Sequence, residues 1–249
     1  MNYPTDLTNS QWELVQKIIP DGRKRKYSLR HIINALLYVV KTGCQWRMLP
    51  LEFPSYKLVH YYFTKWKKDG TIELLHDKLM EKRRIKKGKR AEPSAGILDS
   101  QSVKSTAVSS HCSGFDMAKK VKGRKRHLLV DTLGFVICVV VHNAAIQDRD
   151  GAMLVFKQAY DRLLKVVFAD AAYWANKLNE WVKQNCKWML IIIRKCKAKF
   201  EPQPKRWIVE RTFAWINNDR RNAKDYERYT DSAEMMIYLS MTKLMLKYY

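Results

Sequence analysis

The chain has 249 residues, 47% of them hydrophobic and 12% aromatic, enough to build a large core with room for a small second domain. Lysines and arginines number 47 against 24 acids, and the net charge of +23 favours a polyanionic partner, above all nucleic acid. No apolar run of about 18 residues suggests a membrane span, no basic-then-apolar leader is visible, and Cys44, Cys112, Cys138, Cys186 and Cys196 form no C-x-x-C pair. A cytosolic chain of reduced thiols, with neither disulfide framework nor zinc site, is the expectation.

Residues 1–80 read as helical. Thr8 caps a first helix, with Gln11 completing a capping box ahead of Trp12, Val15, Ile18 and Ile19. Pro20, Asp21 and Gly22 break it, and a basic loop, Arg23 to Lys26, follows. Ser28 opens a second helix with Leu29, Ile32, Ile33, Leu36, Leu37 and Val40 on one face, and Gly43 is placed to end it. After the loop Trp46-Arg47-Met48-Leu49-Pro50, Ser55 opens a third helix. Its apolar face is Leu58, Val59, Tyr62, Phe63 and Trp66; Lys57, His60, Lys65, Lys67 and Lys68 lie on or near the other side, and Gly70 stops it. A fourth runs from about Ile72 to Met80. Capped helices with a basic final face suggest a helix-turn-helix-like DNA-binding domain over 1–80, with Lys65 and Lys67 as DNA contacts. Seven cations crowd Lys82 to Arg90, and 81–95 reads as a basic linker.

From 96 onward the pattern is α/β. Ala95 to Ser100 reads as a short strand ending on Asp99, followed by a Ser-rich loop over 102–113. Lys119, Lys120, Lys122, Arg124, Lys125 and Arg126 form a second basic block, expected to contact DNA. Strands are predicted at His127–Asp131 and Phe135–Val141, joined by a hairpin-like turn at Thr132-Leu133-Gly134. An amphipathic helix over Asp150–Leu164 follows, then a strand from Lys165 to Asp170, a helix over Asn176–Gln184, an apolar strand over Trp188–Ile193 and a helix from Lys205 to Ile216. Ser232 is placed to cap a last helix with a Met-rich stripe. Five mixed strands flanked by helices suggest a ribonuclease-H-like catalytic domain over 96–249.

Three carboxylates stand out. Asp99 and Asp170 end apolar strands, where ligands gather in α/β folds. Glu210 sits in a largely apolar helix, with Arg206 one turn before it, so either an Arg206–Glu210 ion pair or a metal ligand explains it. Converging carboxylates repel and need a cation; an all-oxygen site suits Mg²⁺, with Mn²⁺ as a substitute. Two such ions, typically about 3.5–4 Å apart, drive in-line displacement at a phosphodiester. His127 and His142 read as sheet or loop histidines, Asp131 as a turn residue, and Asp148 and Asp150 as caps of the following helix. Trp174 is open to two readings, core packing or stacking on a base.

Several runs together resemble a bacterial insertion-sequence transposase of the DDE type, in the IS-five group. They are Leu98-Asp99-Ser100-Gln101-Ser102-Val103-Lys104, Lys119 to His127, Gln147-Asp148-Arg149-Asp150-Gly151-Ala152, Ala169-Asp170, Arg206 to Trp215, and Lys224-Asp225-Tyr226-Glu227; Trp46 to Pro50 is similar too. The resemblance implies Asp99, Asp170 and Glu210 as the metal-binding catalytic triad. It implies Arg206 as the residue that supports the site or holds DNA phosphate, with Arg211 beside it on the same helix. It implies Mg²⁺-dependent cleavage and 3′-hydroxyl strand transfer on double-stranded DNA, with terminal inverted repeats and target DNA as partners. A homodimer or higher oligomer on DNA, associated with the nucleoid, is expected. Two departures stand against the pattern. Ala171-Ala172 replace a usual glycine pair, so a different loop beside Asp170 is expected. Asn217-Asn218 stand where relatives carry a cation, a role Arg220 and Arg221 could fill. A domesticated, inactive DNA-binding protein and a structure-selective nuclease on the same fold are the alternatives.

Overall fold

The computed structural model describes residues 3–20, 22, 24–193 and 205–249. Four helices come first: α1 (Asn9–Gln16), α2 (Leu29–Thr42), α3 (Tyr56–Lys68) and α4 (Thr71–Lys86). Thr8 and Gln11 close the expected capping box on α1, satisfying two of the amide donors that a helix start leaves open. Gly43 ends α2 with φ of 69°, a left-handed conformation that side chains resist. Arg23 and Asp21, in the expected break and basic loop, lie outside the described residues. So does Cys196.

α4 runs on to Lys86, so the basic run expected to open a linker at 81 begins inside a helix. Arg83 and Arg84 are buried in its last turns. The Arg84 guanidinium donates to the Asp131 carboxylate and to the carbonyls of Arg90 and Ala91. Those bonds answer the charge that made the segment read as solvated.

The sheet comprises β1 (Ala95–Lys104), β2 (Gly114–Asp116), β3 (Val121–Val130), β4 (Val136–Asn143), β5 (Val166–Asp170) and β6 (Met189–Ile193). β1 is central. It pairs antiparallel with β3 and parallel with β5, β5 pairs parallel with β6, and β2 and β4 both lie on the far side of β3. β2, a sixth strand, falls just beyond the Ser-rich stretch read as loop. β1 does not end at Asp99 but continues to Lys104, because its second half pairs with β3 after β5 has stopped. β3 likewise begins at Val121, inside the second basic block. Asp131 caps the β3–β4 turn by accepting from the Leu133 and Phe135 amides, as a turn residue should.

α5 (Asp148–Ala159) and α6 (Asn176–Asn185) cover one face of the sheet around Leu98, Leu129, Val167 and Ala169. α7 (Arg206–Asn217) and α8 (Thr230–Leu246) cover the other. α8 starts after Tyr229, so Ser232 lies inside it rather than capping it. The buried faces of α2, α3 and α4 join α7, α8 and the sheet in one continuous apolar cluster, with α8 packed along α4 and α2. The Met-rich stripe of α8 is core: Met236, Met241 and Met245 are fully buried. Among the described residues no helix is long and apolar enough to cross a membrane.

Candidate active site

β1 and β5 run parallel, with Ile97 opposite Phe168 in the last paired rung. Two residues further on, each strand carries an aspartate, Asp99 and Asp170. Alternation places both on the face of Ile97 and Phe168, which is the α7 face. They line one narrow cleft with Phe168, Ile193 and Arg206. Asp99 Oδ1 accepts from the Ser100 amide at 2.7 Å. Burial pushes the Asp99 carboxyl up from 3.8 to about 6, and the negative charge of Asp170 adds to the rise; the Ser100 amide, Lys119 and Arg206 oppose it.

The segment after Asp170, where alanines stand for the usual glycine pair, is a single 3-10 turn, Ala171–Tyr173, capped by Asp170 itself, which accepts from the Ala172 amide at 2.9 Å. No residue of that turn has positive φ, so alanine fits it without strain. Tyr173, fully buried, anchors the turn against the α5 side of the sheet. Trp174 follows it and is 52% exposed, which rules out the core-packing reading.

Glu210 lies on the first turns of α7, its side chain 54% exposed, with Arg206 Nε 3.1 Å from Oε1. The Arg206–Glu210 ion pair anticipated for this acid is formed. Among the described residues no three acidic, histidine or cysteine side chains gather as a ready metal cluster. The donor set nevertheless fits a hard divalent cation: Asp99 and Asp170 offer carboxylate oxygens whose mutual repulsion such an ion relieves, and Glu210 stands one helical turn from Arg206, the cleft's cation. These three side chains would hold it.

The cations read as DNA contacts divide sharply. Lys119, Lys120, Lys122, Lys65 and Arg220 are exposed. Arg124, Lys125, Arg126 and Arg221 are buried and are corrected to internal roles. Arg124 Nη1 lies 3.3 Å from Asp225 Oδ1, and its guanidinium donates to the Glu227 and Arg228 carbonyls. Arg126 donates to the Asn222 carbonyl. Arg221 donates to Glu227 Oε1 at 2.6 Å and to the Cys44 carbonyl. Lys125 sits between Asp116 at 3.2 Å and Asp148 at 2.9 Å. Two of the motif runs, Lys119 to His127 and Lys224 to Glu227, thus meet in one buried ion network. Arg211 is also reassigned: it lies between the Trp207 and Trp215 rings and donates to the Leu133 carbonyl. Lys67 ties α3 to Asp231 and Ser232 at the start of α8.

Asp148 does not cap α5; Gln147 occupies that position, and the Asp148 carboxylate accepts from Lys125 and from Ser100 Oγ. His127 and His142 are sheet histidines, stacked and 2.8 Å apart through Nδ1 and Nε2, and burial drives His127 down to about 3. Asp116 is a structural residue the sequence reading passed over. Its place three residues ahead of Lys119 was the available signal, since a carboxylate there can accept turn amides.

A mixed sheet flanked by helices, with two aspartates side by side on parallel strands, fits the ribonuclease-H-like class of folds. Comparison with known proteins agrees: residues 90–245 match a family described as "Transposase DDE domain", and residues 7–76 one described as "Putative transposase of IS4/5 family". The chain belongs to the DDE transposase family. An uncharacterized protein, y4sN, of Sinorhizobium fredii (strain NBRC 101917 / NGR234) is 30% identical over 71 residues. The match covers 27% of this chain and 57% of that relative, so the chain spans little more than half of the relative's length.

Proposed function

We propose that this protein is a DNA transposase that binds the terminal inverted repeats of its own element, cuts the strand ends and joins the freed 3′-hydroxyl to target DNA. The observation that carries the reading is the register-matched pair Asp99 and Asp170, sharing one cleft with Arg206, which is paired to Glu210. Asp99, Asp170 and Glu210 would hold a divalent metal, Mg²⁺ or Mn²⁺, which would supply activation of the attacking oxygen and stabilisation of the leaving one. Arg206 exchanges Glu210 for a phosphate oxygen of the DNA. The exposed cations Lys65, Lys120, Lys122 and Arg220 hold the backbone of the duplex. Trp174, exposed four residues beyond Asp170, stacks on a base. The protein acts in the bacterial cytoplasm, on the nucleoid, and brings two ends together as a dimer or higher oligomer.

The test uses a labelled duplex copied from the genomic DNA on either side of the gene. Wild-type protein should give strand cleavage that requires Mg²⁺ or Mn²⁺ and is abolished by EDTA. Asp99→Asn and Glu210→Gln should bind the duplex and cut it at least about 10²-fold more slowly. Binding without metal-dependent products from wild type would leave only a DNA-binding protein; equal cutting of unrelated or branched DNA would make it a nuclease.

A further inference from the structure

The turn between β2 and β3 is built with unusual care for an exposed loop. Asp116, 4% exposed, accepts from the Ala118 and Lys119 amides through Oδ1, both at 3.0 Å. Its Oδ2 is fixed from below by Ser102 Oγ at 2.5 Å and Lys125 Nζ at 3.2 Å. The next residue, Lys120, takes φ of 52°, a left-handed conformation that a lysine adopts only where its surroundings impose it. The result is that Lys119, whose residue surface is largely open, does not point into solvent. Its Nζ donates to the Ser100 carbonyl at 2.8 Å and to Ser100 Oγ at 3.0 Å.

Ser100 is also the residue whose amide holds the Asp99 carboxylate at 2.7 Å. One residue of β1 therefore carries the acid on its N–H and the ammonium on its carbonyl and hydroxyl. The hydroxyl is itself oriented by donating to Asp148 Oδ1 at 2.9 Å. Both bonds of the ammonium are to neutral oxygens, so a phosphate oxygen arriving at the Asp99–Asp170 cleft offers it a stronger, charge-assisted partner.

We propose that Lys119 is a substrate-contacting residue of the reaction: its ammonium swings from Ser100 to a non-bridging oxygen of the scissile phosphodiester and neutralises the charge that builds there. Asp116 and the left-handed Lys120 act as positioning residues that hold the turn on target. This rests on the reading of Asp99 and Asp170 as the reacting centre, and it assigns a task to one lysine that general backbone attraction does not.

The experiment compares wild type, Lys119→Gln, Lys119→Arg and Lys122→Gln on the same flanking-DNA duplex, with the scissile phosphate intact or replaced by an uncharged methylphosphonate. Lys119→Gln should lower the single-turnover cleavage rate roughly 10²-fold while changing duplex affinity less than about threefold, and Lys119→Arg should recover part of the rate. Lys122→Gln should weaken duplex binding more than Lys119→Gln does, as loss of a backbone contact would. The methylphosphonate should slow wild type far more than it slows Lys119→Gln, because the two changes remove the same contact. Lys119→Gln cutting within twofold of wild type, or losing binding and cleavage in equal measure, overturns the proposal. So does an equal methylphosphonate effect in wild type and variant, a comparison that holds even if Lys119→Gln is less stable. Asp99→Asn run in parallel separates the two claims: if it cuts normally, the reacting centre is elsewhere; if it is inactive and Lys119→Gln is not, only the assignment of Lys119 fails.

Discussion

Asp99 shows what a carboxylate buried in a cleft asks of a fold. Its carboxyl is raised from 3.8 to about 6, chiefly by burial. The folded protein thus holds this proton more tightly than the unfolded chain does. The group is harmless below about pH 4 and destabilises the fold as the pH rises through 6. Asp99→Asn should therefore be more stable than wild type by about 2–3 kcal/mol at pH 8 in EDTA, with the gap closing near pH 4. Urea denaturation at the two pH values measures this; an equal gap at both would mean that desolvation of the carboxylate is not its cause.

At the scale of elements, charge and burial part company. Arg124 is 0% exposed and faces Asp225, also buried, whereas Lys122 two residues earlier on β3 is exposed. Arg124→Ala strands a buried carboxylate and should cost about 3–5 kcal/mol, read as a lost or sharply lowered unfolding transition. Lys122→Ala should stay within about 0.5 kcal/mol of wild type and reduce the salt dependence of DNA binding by about one counterion. The sequence could not separate these two residues, because the partner of Arg124 lies 101 positions away and periodicity reports only on near neighbours. The same limit hid the second half of β1: Gln101, Ser102 and Lys104 look like loop, and only pairing with Arg126, Lys125 and Gly123 makes them strand. What was legible had local causes: the Thr8–Gln11 box, Gly43 as a helix stop, the Asp131 turn. The placing of Asp99 and Asp170 was legible too, since an acid closing an apolar run marks where buried strand gives way to a cleft.

For the molecule as a whole, the buried charges nearly cancel. Arg83, Arg84, Arg124, Lys125, Arg126 and Arg221 lie inside with Asp116, Asp131, Asp219, Asp225 and Glu227, so among the described residues the positive excess sits at the surface, where it favours a polyanionic partner. The helices over 1–86 are not an appendage to this body. Removing them would bare the apolar surface of α8 that packs along α4 and α2, part of one shared core. A chain starting at residue 87 should show no cooperative thermal transition by circular dichroism and should aggregate; a sharp two-state melt would show that the segment carries its own complete core.

The contact between Arg206 and Glu210, 3.1 Å apart, has a thermodynamic meaning in the proposed reaction. While the arginine holds the glutamate, an incoming cation must compete for its third ligand, and an incoming phosphate must compete for the arginine. Each guest relieves the obstacle facing the other, so their affinities rise together, by the same factor in either order. On that proposal the protein is a poor metalloprotein off DNA and a poor cutter of DNA it has only brushed against, a restraint that ties cutting to firm engagement of both guests.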